Sequence, residues 1–278
     1  VPERSRRGES TGEVKALCKE ALRLFRAGRY GPARNKYEAA LKIEPQNLYA
    51  IVGLGDVARR QRRFQDAVDH YWEALGREAD NPFALSGLGD AYRGLEDLDR
   101  ALEVWFHYLS LRPDDFRVLT RVADGLRKKG NLEGARKHYR AALERHPEDL
   151  YALMGLGDVS AREGDDDQAL AFFEKAISQS RNCLPALTSA ANILRKRRAY
   201  DQALTLYDRV FETDPHSSHA WHGRADCLRG LKHYRAAIEA WEKALTCGMN
   251  PRIALTRIGD AFLSLHELRN AERYYQRA

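Results

Sequence analysis

Apolar and polar positions along this chain recur with a period of 34 residues. The segments LYAIVGLGDVARR from Leu48, PFALSGLGDAYRG from Pro82 and LYALMGLGDVSAR from Leu150 stand 34 or 68 residues apart. Counted from Val14, copies begin at 14, 48, 82, 116, 150, 184, 218 and 252, with no insertion or deletion. Such self-similarity marks a stacked repeat architecture. One slot is alanine in every copy: Ala33, Ala67, Ala101, Ala135, Ala169, Ala203, Ala237 and Ala271. A slot twelve residues earlier is always Gly or Ala, from Ala21 and Gly55 to Gly259. Four residues after the alanine stands an aromatic: Tyr37, Tyr71, Trp105, Tyr139, Phe173, Tyr207, Trp241 or Tyr275.

A spacing of four puts the alanine and the ring on one face of a helix. The small slot belongs to a second helix, and the ring fills the gap that small residues leave there. Pro45, Pro113, Pro147 and Pro215 break the pattern between copies, where a residue without an N–H ends a helix. Each copy therefore reads as two helices, as over residues 49–61 and 65–77, joined by short turns such as Gly130-Asn131 and Gly164-Asp165. Neither helix can bury its face alone, so the pairs must stack into an α-solenoid.

The period, the small–alanine–aromatic spacing and the late proline resemble the tetratricopeptide repeat family over residues 14–278. The resemblance implies an all-α fold: antiparallel helix pairs in a right-handed superhelix, with a concave groove lined by the first helix of each pair. It also implies a scaffold for protein–protein interaction rather than an enzyme. The early tryptophan frequent in the family stands only at Trp221, and Asp166 replaces a large apolar residue, which predicts a looser turn in the fifth copy.

Composition narrows the rest. The chain has 278 residues, 44% hydrophobic and 31% charged, so it can bury a core. No apolar run approaches the ~20 residues of a membrane helix. Cys18, Cys183, Cys227 and Cys247 form no CxxC pair. Residues 1–13 are almost devoid of large apolar side chains, read as a mobile N-terminal segment and lack the apolar centre of a secretory signal. The chain starts without Met and stops 27 residues into the eighth copy, which reads as a processed or cloned piece of something longer. The cytoplasm is favoured, with the periplasm left open.

Candidate chemistry is sparse. No nucleophile elbow, phosphate loop or HExxH occurs, and no cofactor is implied. His216, His219 and His222 stand three apart, but solvent-facing histidines at a helix start explain them better than a metal. The acidic run at residues 163–167 lacks calcium-loop spacing. The stronger signal is a ladder directly after the small slot: Asp56, Asp90, Asp124, Asp158, Asn192, Asp226 and Asp260, with Leu22 as its one departure. This slot faces the groove in the family, where carboxylates and amides can bond an extended peptide backbone or attract its basic side chains.

Arginines follow three residues on, at Arg59, Arg93, Arg127, Arg195 and Arg229, and a fourth-position Arg162 follows Asp158. Such pairs can instead neutralise each other or cross-link neighbouring repeats. Asp260 has no base in its next turn and reads as the freest carboxylate. Tyr49, Phe83 and Tyr151 share a slot seven residues before the Asp; they are either peptide anchors or packing at the repeat junctions, and the packing is slightly favoured. The family's clamp for a C-terminal carboxylate is not matched: its first Lys slot holds Cys18, Val52, Ser86 and Thr120, and only Arg117 and Arg121 fit part of it.

The expected partner is a protein or peptide bound in the groove. The alternatives are the targeting arm of a larger enzyme or complex and, disfavoured by the paired carboxylates, nucleic acid on the basic stretches. End-to-end self-association through Tyr274, Tyr275 and Ala278 of the uncapped last repeat is also expected.

Overall fold

A computed structural model describes residues 2–278, with side chains from residue 11 onward. The described chain is all-α and divides into two compact units, 1–145 and 146–278. The first contains α1 (Pro2–Arg26), α2 (Tyr30–Ile43), α3 (Leu48–Arg60), α4 (Phe64–Leu75), α5 (Pro82–Gly94), α6 (Leu98–Leu111), α7 (Phe116–Lys128) and α8 (Leu132–Arg145). The second contains α9 (Leu150–Glu163), α10 (Asp166–Gln179), α11 (Leu184–Lys196), α12 (Tyr200–Thr213), α13 (Ser218–Gly230), α14 (Tyr234–Thr246), α15 (Pro251–Ser264) and α16 (Leu268–Arg277). Each 34-residue copy is thus one helix pair. Helix α1 starts at Pro2, upstream of the first copy. Among the described side chains its burial begins at Val14. Arg and Glu propagate helix well once a buried turn has nucleated it.

Each helix packs on its neighbours in sequence within a unit. In the first unit α1 also packs on α3 and α3 on α5; in the second, α11 packs on α13. First helices of successive pairs therefore sit side by side, which makes them the inner face of the stack.

The reason lies in the small residues. A Cβ added at Gly55 would stand 2.7 Å from the ring of Tyr71 in its own pair, and one at Gly87 would stand 2.3 Å from the same ring. Gly223 approaches Tyr207 in the same way, and Gly53 approaches Tyr37. Each such ring is clamped between the small slot of its own repeat and a second small residue, two positions earlier, in the next repeat. Tyr71, Trp105, Tyr139, Phe173, Tyr207 and Trp241 are fully buried, and so are the repeated alanines.

Helix ends carry their own chemistry. Asn47, Asn81, Asp115 and Asp149 cap α3, α5, α7 and α9 by accepting backbone N–H bonds. The turn inside every pair uses one backbone geometry. Gly28, Arg62, Glu96, Gly130, Gly164, Arg198, Lys232 and His266 hold the same slot, all at positive φ. The next residue donates to the carbonyl five positions back, as Arg63 does to Ala58 at 2.9 Å, which is the bond of a Schellman helix end.

The fifth copy, expected to be looser at Asp166, keeps this turn. Asp165 donates to Ser160 at 3.0 Å and caps α10 through Gln168, while Asp166 reaches Arg197 at 3.4 Å. A charged side chain there costs little because it points to a guanidinium rather than into the core.

Candidate functional site

The ladder sits on the inner face, and its members are tied rather than free. In the first unit Tyr71 donates its hydroxyl to Asp56 Oδ1 at 2.8 Å, and Tyr139 donates to Asp124 Oδ1 at 2.6 Å. In the second, Tyr207 donates to Asn192 at 2.9 Å and Tyr275 to Asp260 at 2.7 Å. The core aromatic and the ladder residue are 15 apart in every case. At Tyr71, Tyr139 and Tyr207 the ring is buried in the core while the hydroxyl reaches the first helix of the pair.

Arginines complete the lattice. Arg59 bonds Asp56 at 3.1 Å and the Tyr71 hydroxyl at 3.3 Å, and reaches Asp90 of the next repeat at 3.4 Å. Arg93 lies 3.1 Å from Asp90, and Arg127 lies 3.3 Å from Asp124. Arg195 crosses to Asp226 at 2.8 Å. The expected partner of Asp226 in its own helix, Arg229, makes no ion pair; the carboxylate faces His222 at 3.7 Å instead. Asp260, expected to be the freest carboxylate, is held by Tyr275, because the hydroxyl reaches it from the second helix of the pair. Asp158 is half-buried on α9, beside Gly157, whose free space is filled by Phe173.

Two members depart from the exposed reading of the ladder. Asp90 is 7% exposed and Asp226 8%. Both belong to repeats whose core aromatic is tryptophan, Trp105 or Trp241. An indole brings no hydroxyl; among the described residues Asp90 Oδ1 and Asp226 Oδ1 accept no hydrogen bond and neither indole N–H donates one. Asp90 instead lies among three guanidinium groups, with Arg121 Nε at 3.5 Å joining Arg59 and Arg93.

The titrations follow this lattice. Burial, then Asp56, raises the Tyr71 pKa. Burial opposes the charge on Arg59, but Tyr71, Asp56 and Asp90 outweigh it and hold the guanidinium above its ordinary value. Burial pushes Arg121 down, Asp90 opposes it, and Arg93 and Arg59 push the same way as burial. Burial lowers His222, with Asp226 pulling the other way.

Tyr49, Phe83 and Tyr151 do not pack away at the repeat junctions: they are 50%, 72% and 74% exposed. Their slot lies in the first turn of α3, α5 and α9, just after the capping residue, so the rings project from the inner face. In the first unit they border a cavity of about 460 Å³ lined by Leu22, Arg26, Tyr37, Tyr49, Val52, Asp56 and Phe83, among others. The break in the ladder makes this cavity apolar, since Leu22 stands where the other repeats carry Asp or Asn. The ladder and the rings are visible in the sequence, whereas the tyrosine hydroxyl bonds, the cavity and the contacts of Arg121 with Asp90 and Ser86 (2.8 Å) arise only in the folded chain. Only the recurring 15-residue interval between Asp and Tyr could have signalled the hydroxyl bonds.

Among the described residues no group of three or more His, Cys, Asp or Glu is placed to hold a metal ion, and no helix is long and apolar enough to cross a membrane. The family model of the tetratricopeptide repeat matches residues 18–82, 52–115, 122–182 and 188–252. Curated proteins yield no match. Among solved structures, a tetratricopeptide repeat protein from Parabacteroides merdae superposes with a TM-score of 0.65 at 18% identity, covering 94% of this chain and 99% of that one. A repeat protein from Cytophaga hutchinsonii gives 0.70 at 16% identity, over 81% and 94%. YrrB, described as a repeat protein with an unusual peptide-binding site, gives 0.57 at 19% identity, over 66% and 95%.

Proposed function

Because the chain belongs to the tetratricopeptide repeat family, we propose that it is a protein-interaction scaffold whose inner face binds an extended segment of a partner. The observation that carries this reading is the exposure of Tyr49 and Phe83 over an open apolar cavity beside the ladder. Large rings left in water on a rigid face cost little to dock and contribute strongly when covered. The lattice beside them supports the reading. In Asp56, Asp124 and Asp260 the tyrosine hydroxyl occupies Oδ1, which orients the carboxylate and leaves Oδ2 for a backbone N–H. Asn192 keeps its amide donor for a backbone carbonyl in the same way. A ladder fixed by its own tyrosines binds without having to order itself first.

The test is a photo-reactive residue placed at Phe83, or at Phe106, which is exposed on the second helix α6. In cells of the source organism the Phe83 position should yield a partner adduct and the Phe106 position should not. Adducts only from Phe106 would place the interaction elsewhere. Of the residues expected to mediate end-to-end association, Tyr275 and Ala278 are exposed, whereas Tyr274 packs on Phe262 at 5.3 Å and donates to Glu242 at 2.8 Å; a strict monomer in concentrated sedimentation runs would refute that association.

A further inference from the structure

The inner face of the first unit is asymmetric. At one end the Leu22 departure leaves an apolar cavity walled by Tyr49, Val52 and Phe83. Asp56 lies on its border and is joined through Arg59 to the buried Asp90 and its other guanidinium partners, Arg93 and Arg121. Cations outnumber anions along this path. Arg26, which lines the cavity, has no carboxylate partner among the described residues. Arg117, in the slot of Tyr49 and Phe83, lies over the Phe116 ring at 5.4 Å and likewise forms no ion pair. With Arg59, Arg93 and Arg121 they make five positive groups against the three carboxylates Asp56, Asp90 and Asp115, which are already engaged by arginines or, at Asp115, by Tyr108 and the α7 backbone. Moreover, Asp90 is too buried to meet a ligand, while Arg93 is exposed.

We infer that the first unit recognises an acidic peptide segment carrying one large apolar side chain, which enters the Leu22–Tyr49–Phe83 cavity while flanking Asp or Glu residues meet the Arg59–Arg93–Arg121 cluster. This names the partner class of the proposed function and rests on that reading. It also reverses the expectation that the ladder attracts basic side chains, since the carboxylates are already paired and the surplus charge is positive. Nucleic acid has the right sign for the arginines. It offers no flexible apolar side chain to fill a cavity of this lining. Complementary charge steers the encounter and the apolar anchor supplies the specificity.

The test is selection of a random twelve-residue peptide library on the whole chain carrying the photo-reactive residue at Phe83. The enriched peptides should be net acidic, share one Leu, Ile, Phe, Tyr or Trp, and cross-link at that position. Replacing the shared apolar residue by Ala should weaken binding at least tenfold, and so should replacing the acidic residues by Lys. Leu22→Asp should abolish the preference for the apolar residue. It offers Tyr37 the hydroxyl–carboxylate pairing seen in three other repeats, so the chain should fold, as thermal unfolding would check. Tyr49→Ala combined with Phe83→Ala, tested without the photo-reactive residue, strips exposed rings only and should act likewise. Enriched peptides that cross-link but are neutral or basic would overturn the acidic-partner inference and leave the groove reading standing. Peptides that fail to cross-link, or no enrichment at all, would overturn both. An oligouridylate that displaces the acidic peptides and binds as tightly would replace the inference by a nucleic-acid one.

Discussion

Tyr71→Phe removes one oxygen from the first unit and tests whether the ladder is structural as well as ligand-facing. The hydroxyl donates to Asp56 at 2.8 Å and accepts from Arg59 at 3.3 Å, on a residue with no solvent exposure. A hydrogen bond to a charged acceptor contributes about 1.5–3 kcal/mol. Asp56 is half-exposed and can rehydrate, so the loss falls near the lower end, about 1.5 kcal/mol. Asp56→Ala in the wild-type background costs about 2 kcal/mol, because the buried hydroxyl loses its acceptor. In the Tyr71→Phe background the same change removes only the exposed pair with Arg59, about 0.5 kcal/mol. The cycle should therefore close with a coupling of about 1–1.5 kcal/mol. Urea unfolding followed by far-UV circular dichroism, fitted with a nearest-neighbour model for repeat arrays, measures all four corners. The single change should lower Tm by about 3–6 °C. A coupling below about 0.5 kcal/mol, or a neutral Tyr71→Phe, would show that the tyrosine and the ladder act independently.

Other outcomes follow from the same geometry. Arg62→Gly and Lys232→Gly relieve positive φ at the shared turn slot; each should stabilise by up to about 1 kcal/mol, against the ~1–2 kcal/mol cost of the left-handed conformation, as calorimetry would register. Gly87→Ala sets a Cβ 2.3 Å from a ring already clamped by Gly55, so it should destabilise by about 3 kcal/mol; a smaller loss than for an exposed Gly→Ala would contradict the clamp. A thiol reagent at pH 8 should modify Cys247 rapidly and Cys18, Cys183 and Cys227 only on unfolding, since these three are buried and burial pushes Cys227 up to about 11. Burial and the Asp260 bond raise Tyr275 to about 12, and burial raises Tyr207 to about 12. The folded state thus favours the protonated phenol. Its stability contribution is whole below pH 10, the ordinary tyrosine value, and is lost as pH rises toward 12, which a phenolate absorbance titration of native and urea-unfolded protein would display.

Much of this molecule is readable from spacing. The 34-residue period requires helix pairs because a ring four residues after an alanine shares its helical face, and a glycine twelve residues before that alanine is met by the same ring. Local rules could have supplied the caps at Asn47, Asn81, Asp115 and Asp149. The positive-φ turn slot was legible only where glycine fills it, at Gly28, Gly130 and Gly164. At Arg62, Glu96, Arg198, Lys232 and His266 the conformation is imposed by the packing of the pair, which outweighs the local preference of those side chains.

The candidate site divides along the same line. That Asp56, Asp90, Asp124, Asp158, Asn192, Asp226 and Asp260 share a helical slot is a consequence of periodicity alone. Whether a carboxylate in that slot is free, tied to a hydroxyl or buried depends on the residue 15 positions later and on arginines 31 residues away. Tyrosine at that later position leaves Asp56 half-exposed, whereas tryptophan accompanies a buried Asp90. The sequence carries the identity of every group and the face it occupies, because helical geometry converts spacing into direction. Only the packed chain decides which groups meet, because those distances are set by how closely neighbouring helices approach. The small residues that permit the approach also decide where charge is paired and where the apolar cavity opens.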